Sequence, residues 1–487
     1  MAQGDVLTRA KARHLLRRTG FGAMPAEIDR LLASSATVGD AADRIVRFNP
    51  KGFKPGGRYY SNIHDNWIGW MLKTTQPLAE KLTLFWHDHF ATAYSKVESV
   101  KLMAQQNQYL RQNGVGSFKD LVKGINRDPA MIEYLDTVRN DKPFPNENYA
   151  RELQELFTLG TRNLRGGESD ANYTQADIVQ IARAFTGWGY SRTKPVFRDY
   201  AHDFAAEFAS VRGPKVIYKS TGGFGSGGRD FAQAGEGAGE IDQVVDVIFE
   251  HRDWEGENTV ARRTAKRLFE YFAHGGFSTI AVPSPQLDAI DEVIATSGFT
   301  TSWNVAALVR EILVHDRFYD SLSDRSLKSV RWPVDLAVGT LRVLGMKPKG
   351  RYKYIPGGRY GGLLDHMQNM GQTVLEPPSV FGWDWESSWV SSATLLARYG
   401  FVRDVAARYA EGFAPLTLLG LSSGDPDVVV NAVAEYLGVK DDLSAGEIAA
   451  FKAFLGGPVN LANDSEVRRK IHGLFVLVLQ TPAYQLH

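Results

Sequence analysis

Apolar residues recur every three or four positions along most of the chain, the spacing that places them on one face of an α-helix. This periodicity predicts a mainly α fold, a large multi-helix globular structure with irregular Gly/Pro/Trp-rich loops and little sheet. The predicted helices lie at 7–19, 26–33, 40–48, 61–75, 77–89, 100–112, 118–125, 146–159, 174–185, 240–250, 259–274, 285–297, 304–315, 333–344, 363–370, 393–410, 428–438, 445–455 and 465–480.

The helical pattern is interrupted between residues 190 and 240, where a Gly-rich run, TGGFGSGGRDFAQAGEGAGE, occupies 221–240. The run lacks the GxxxxGK[ST] order of a phosphate-binding loop, so a surface loop is favoured. We therefore divide the chain into an N-terminal helical half carrying the candidate site, an irregular excursion, and a C-terminal helical half packed as one unit with the first: 1–190, 191–240 and 241–487. Two further irregular stretches, 349–362 and 370–392, are rich in Gly, Pro and aromatic residues.

Composition narrows the classes of function. The 56 basic and 55 acidic side chains leave a formal net charge of +1, so no overall field favours a polyanion, and nucleic acid is not expected as a partner. The absence of cysteine excludes disulfides, Cys-ligated zinc, iron–sulfur clusters and thiol nucleophiles. A divalent metal ion, if bound, would need His, Asp and Glu ligands.

Segments that would direct the chain to a membrane are not evident in the sequence. No apolar run reaches the roughly 18 residues of a transmembrane helix. The first residues, MAQGDVLTRAKARHLLRR, have no apolar core and do not resemble a secretory signal. We expect a cytoplasmic protein if this N-terminus is native, and an exported or periplasmic one if a signal was removed.

The first candidate segment is EKLTLFWHDHF at 80–90, which carries His87 and His89. Residues two apart on a helix point about 200° away from each other, so one histidine at most should face a common site. A histidine that is hydrogen-bonded near the core is the commoner arrangement, and a proton carrier or metal ligand is the alternative.

The second candidate segment is PFPNENYARELQELFTLG at 143–160. On a helix, Asn148, Glu152 and Glu155 share one face, at spacings of four and three residues. Carboxylates one turn apart suit a di-metal clamp or an acid/base pair, although a solvated helix face shows the same pattern. Glu147 is a further catalytic candidate. Asn148 and Arg151 are candidate substrate-binding residues, Arg151 as the cation for an anionic substrate.

Two further groups are weaker candidates. His202 and Asp203 could supply metal ligands or an oriented pair, or could simply form a turn. Trp188, Trp383 and Trp385 could stack on sugar rings, although core packing is the commoner use of tryptophan. The strings GLSSG at 420–424 and GFGSGG at 223–228 fit GxSxG and GxGxxG, but neither leads directly from a predicted strand into a predicted helix, as those motifs require. HExxH and Walker motifs do not occur in the sequence. The standard serine hydrolase, zinc protease, NTPase and dinucleotide interpretations are therefore not favoured.

Six segments resemble, in the same order, the bacterial family called domain of unknown function 1800. They are LFWHDHF at 84–90, PNENYARELQELFTLG at 145–160, YTQADIVQIARAFTGW at 173–188, His202-Asp203, MGQTVLEPPSVFGW at 370–383 and FVLVLQTPAYQL at 475–486. The family has no settled activity. The resemblance implies an envelope setting, a polymer substrate, and a partner of a sulfatase-like family encoded nearby. This chain departs from the family by carrying Asp88, where relatives often have WHNHF.

The leading hypothesis is an enzyme that hydrolyses a glycoside-like or envelope polymer. In it, Glu152 and Glu155 are acid/base or ligand carboxylates, and His87 or His89 is a proton carrier or ligand. One alternative is a metal-dependent enzyme, hydrolytic or oxidative, with His87, His89, His202 and Asp203 as candidate metal ligands. Another is a non-catalytic protein that holds a carbohydrate, an envelope polymer or a protein partner with its aromatic loops.

Overall fold

The computed structural model describes residues 2–49, 56–164, 171–204, 213–232, 236–278, 284–346, 362–407 and 413–487. Helices form most of this part of the chain and confirm the mainly α prediction. The α-helices of the first half are Arg9–Thr19, Pro25–Ser34, Val38–Val46, Tyr60–Lys73, Pro77–His89, Tyr94–Val97, Val100–Asn113, Phe118–Ile125, Pro129–Tyr134, Asn148–Glu152 and Gln175–Ala184.

The second half is built in the same way. Its α-helices are Glu240–Glu250, Thr259–Phe272, Ser284–Ser297, Phe299–Ser302, Val305–Leu313, Asp320–Ser323, Pro333–Val343, Leu363–Asn369, Ser392–Ala407, Pro415–Leu419, Pro426–Leu437, Ala445–Leu455, Asp464–Val467, Gly473–Leu479 and Pro482–Gln485. Sheet in the described residues is limited to two antiparallel pairs, Trp188–Ser191 with Lys194–Phe197 and Val216–Ile217 with Arg229–Asp230. Both pairs lie in or beside the predicted irregular excursion.

Helix starts follow the local sequence. Pro25 and Pro77 each occupy the first turn of a helix, where the missing N–H costs nothing. Ser117 Oγ accepts the Asp120 N–H at 3.2 Å, and the Asp177 carboxylate accepts the Thr174 N–H at 2.7 Å. These side chains satisfy donors that the first turn of a helix leaves without partners.

The spacing of apolar residues did not predict two segments in which the backbone departs from the α-helix. The predicted 146–159 helix is an α-helix over Asn148–Glu152 that continues as a π-helix over Leu153–Thr158. There, the Thr158 hydroxyl donates to the Leu153 carbonyl at 2.5 Å, so a side chain takes part in the wider turn. A second π segment, Arg468–His472, interrupts the predicted 465–480 helix. Most of the predicted 349–362 loop lies outside the described residues.

The Pro77–His89 helix lies inside the fold, with every residue from Leu78 to His89 buried. Its charged side chains are paired accordingly. Glu80 accepts hydrogen bonds from Arg111 Nε at 2.7 Å and Nη2 at 2.8 Å, and Lys81 Nζ lies 2.7 Å from Asp335 Oδ2. Because Asp335 belongs to the Pro333–Val343 helix, elements distant in sequence pack on this central helix.

In the described part of the chain, the helices are too short or too polar to cross a membrane.

Candidate functional site

His89 joins the two candidate segments. Its Nε2 lies 3.0 Å from the Phe157 carbonyl, which can only accept, so the imidazole donates from Nε2. Phe157 lies in the last turn of its helix, where carbonyls lack helical partners. Burial, with a smaller effect of nearby Arg267, lowers the pKa of His89 to about 3. The side chain is therefore a neutral donor that holds the π-helical turn against the central helix.

His87 binds a different part of the molecule. Its Nε2 accepts the Leu375 N–H at 2.9 Å, and its ring lies edge-on to those of Trp67 and Trp383. Burial lowers its pKa to about 3. His87 therefore fixes the irregular 370–383 segment, while His89 fixes the 153–158 turn.

Asp88 fixes the Trp-rich loop from between the two histidines. Its carboxylate accepts the Trp383 N–H at 2.8 Å, the Trp385 indole N–H at 3.0 Å and an Arg267 Nη2–H at 3.3 Å. Gly382 has a φ of +80°, and a Cβ there would lie 2.5 Å from Asp88 Oδ1, so the loop approaches this closely only with glycine. Burial raises the pKa of Asp88 to about 6, despite the nearby Arg267.

Glu152 and Glu155 are both half-buried but have different surroundings. Burial, reinforced by the neighbouring Glu155, raises the pKa of Glu152. The Tyr173 hydroxyl donates to Glu155 Oε2 at 2.9 Å, which fixes the orientation of that carboxylate. Glu152 thus holds its proton more tightly than an ordinary glutamate does, and the carboxylate of Glu155 is held in one orientation.

Three cations on the Thr259–Phe272 helix were missed by the sequence reasoning, and one of them, Arg263, lies near Glu155. Arg263 Nη2 donates to the Glu155 carbonyl at 2.9 Å, and the Arg267 guanidinium lies 4.1 Å from the centre of the Trp385 ring. Lys266, between them on the Thr259–Phe272 helix, has Glu270 as its nearest carboxylate, at 3.9 Å. Burial and the like charge of Arg267 lower the pKa of Arg263 to about 10. The one signal in the sequence is the spacing of the cations in RRTAKR, which places them on one helix face.

Glu147, Asn148 and Arg151 lie at the start of the helix and link it to its neighbour. Glu147 Oε2 accepts from Gln175 Nε2 at 2.7 Å and from Arg151 Nη2 at 3.3 Å. The Asn148 N–H donates to Asn146 Oδ1 at 2.9 Å, so Asn146 caps this end of the helix. Arg151 is thus already engaged by protein groups.

Residues 14–486 match the model of a family described as protein of unknown function (DUF1800). The chain belongs to this family. Neither a curated protein nor a solved structure matches it. The DUF1800 match covers both candidate segments and the Thr259–Phe272 helix.

The three candidate tryptophans of this DUF1800 chain differ in how far their rings are exposed for stacking on a ligand. Trp188 is buried with Arg127 over its ring at 5.2 Å, and Trp383 is buried beside His87. Trp385 is half-buried, with one face covered by Arg267. Trp385 could thus stack on a substrate ring only with the part of its indole that Arg267 leaves uncovered. Trp188 and Trp383 could do so only if the surrounding structure moved.

His202 and Asp203 belong to a separate, fully buried network. The His202 ring contacts the Thr186 carbonyl at 2.9 Å through Nδ1 and Glu240 at 3.1 Å through Nε2. Asp203 pairs with Arg183 at 3.1 and 3.2 Å. This network ties the excursion that follows residue 190 to the helices on either side of it.

The candidate metal ligands lie in different surroundings. His87 and His89 each bind a backbone group, whereas His202 and Asp203 lie in the buried network described above. Across the described ranges, no group of three or more His, Asp or Glu side chains is arranged to hold an ion.

Proposed function

We propose that this DUF1800 protein is a hydrolase of glycoside-like bonds in a polymer, with Glu152 and Glu155 as its two carboxyl groups. The observation that carries the proposal is the contrast between their environments: burial raises the pKa of Glu152, and Tyr173 orients Glu155. Pairs of carboxyl groups with separated proton affinities divide the acid and base roles in such enzymes.

In the proposed reaction, protonated Glu152 donates its proton to the oxygen of the departing sugar as the C–O bond breaks. Glu155 stabilises the positive charge that develops on the sugar ring, and it takes up a proton from the water that adds to the carbon. His87 and His89 act as positioning residues, because each is neutral and bound to a backbone group.

The neighbouring cations favour a polymer that carries negative groups. Among the described residues, Lys266 has no acceptor within hydrogen-bond distance, since the Glu270 carboxylate is 3.9 Å away. A substrate carboxylate or phosphate bound between Lys266 and Arg263, which are three residues apart on one helix, would approach Glu155, because Arg263 donates to the Glu155 carbonyl.

The test is hydrolysis of bacterial envelope polysaccharides and of a panel of aryl glycosides, measured as reducing ends or aryl alcohol released. We expect Glu152→Gln and Glu155→Gln each to lower the rate by about a hundredfold or more, the usual worth of a general acid or base. Glu147→Gln is the matched control, because it removes a carboxylate of the same segment that is engaged by Gln175 and Arg151.

Full activity of both variants would refute the assignment. Polymer binding by the wild-type protein without turnover would favour the non-catalytic alternative. The metal-dependent alternative is tested separately, by elemental analysis of the purified protein together with its activity after chelation.

A further inference from the structure

A second cleft, of about 730 Å³, lies between the Gly-rich turn and the loop that follows the Glu240–Glu250 helix. It shares no lining residue with the carboxylates and cations described above. Its volume is within the range of small-molecule sites, roughly 300–1,000 Å³.

Three glycines of the Gly-rich turn line this cleft. Gly222, Gly223 and Gly225 have φ values of +77°, +72° and +76°, which glycine adopts without strain. Among the described residues, no acceptor receives the N–H groups of these three glycines. At Gly222 a Cβ would lie 2.5 Å from His251 Cδ2, so glycine also allows the turn to pack on the imidazole. Runs of free backbone N–H groups of this kind favour anions.

The charged side chains that line the cleft also favour an anionic ligand. Lys219 and Arg252 both line it, and neither pairs with a carboxylate in the part of the chain that the structure describes. Asp253, the carboxylate of this cleft, is already occupied. Its Oδ1 accepts the Glu255 and Glu257 N–H groups at 3.0 Å, and its Oδ2 lies 2.8 Å from Arg262. The lining therefore carries an excess of positive charge.

Trp254 adds a flat apolar surface to this polar cleft. It lines the cavity with 65% of its surface exposed, whereas most tryptophans are largely buried. An exposed indole beside hydrogen-bond donors suits a ligand with one apolar ring face and a polar edge.

From these features we infer that the cleft binds an anionic sugar. The sugar ring packs on Trp254, and its carboxylate or phosphate is bound by Lys219, Arg252 and the free amides of the Gly-rich turn. This inference goes beyond the proposed hydrolysis, because binding here needs neither Glu152 nor Glu155.

The experiment is an NMR saturation-transfer titration of the full chain with three probes: D-glucuronate, α-D-glucose 1-phosphate and methyl α-D-glucopyranoside. We expect one or both charged sugars to bind with a dissociation constant of about 10 mM or below and more tightly than the neutral one. The two charged probes distinguish a carboxylate ligand from a phosphate ligand.

Variants locate the binding. Trp254→Ala should weaken binding of the charged sugars about tenfold, because ring packing is worth about that factor. Lys219→Gln should reduce the preference for charged over neutral sugar. Tyr200→Ala, which removes another aromatic ring that is 77% exposed, is the control and should change nothing.

Failure of both charged probes to bind, or binding unaffected by Trp254→Ala, would overturn the inference. Glu152→Gln should bind the probes as well as the wild-type protein does. The cleft and the hydrolytic proposal can therefore fail independently.

Discussion

The buried carboxyl of Asp88 makes a testable link between pH and stability. Its pKa is about 6 in the folded protein and 3.8 ordinarily, so between these values the folded state binds a proton more tightly than the unfolded chain. Protonation therefore contributes stability that is fully present at low pH and is lost as the pH rises through 6. Asp88→Asn, which restores the residue of the WHNHF pattern, removes this titration.

The size of the effect follows from the two pKa values. Between about pH 4.5 and about pH 7.5, the wild-type protein should lose about 2 kcal/mol of stability relative to Asp88→Asn. The variant also loses one acceptor for Trp385 or Arg267, which costs about 1–3 kcal/mol, but that cost is largely independent of pH. The change with pH therefore isolates the carboxyl.

The assay is urea denaturation of both proteins at the two pH values, followed by tryptophan fluorescence. Taking the difference between the proteins cancels groups that titrate alike in both, such as His87 and His89. A difference that does not change with pH, or that grows in favour of the wild type as the pH rises, would refute the reasoning.

Two other substitutions test the central helix and its loop. Glu80→Gln leaves the buried Arg111 guanidinium without its carboxylate, and we expect a loss of about 3–5 kcal/mol, seen as a lower urea midpoint; an unchanged midpoint would mean that the pair is not buried as described. Gly382→Ala should destabilise by about 1–3 kcal/mol, because the new Cβ meets Asp88 at a positive φ. Its control, Gly400→Ala, has open space around the new Cβ within a helix and should stabilise the protein by up to about 1 kcal/mol. If the two substitutions changed stability in the same direction, the close contact between Gly382 and Asp88 would be contradicted.

The fold class was predictable because its signals are local. Pro77 and Ser117 mark helix starts through their own backbone or side-chain chemistry, which does not depend on the rest of the fold. The π-helical turn was not predictable in this way. It depends on Thr158 bonding to Leu153 and on Phe157 meeting His89, and no pattern within the segment records the second contact.

The candidate site was predictable as a pair of segments but not as a set of contacts. Glu152 and Glu155 were selected from their spacing, and the difference in their environments comes from Tyr173 and from burial, which spacing does not show. Arg263 and Arg267 were overlooked because helical periodicity identifies a face without saying what it packs against.

The hydrogen bond between His89 and the Phe157 carbonyl limits how this segment can change in length. Removing or adding one residue between Leu153 and Phe157 would turn the Phe157 carbonyl about the helix axis by somewhat less than the roughly 100° per residue of an α-helix, because a π-helical turn holds more residues. The carbonyl would then point away from His89, and a buried imidazole would lose its acceptor. Within this turn, single-residue insertions and deletions should therefore be tolerated less well than many substitutions.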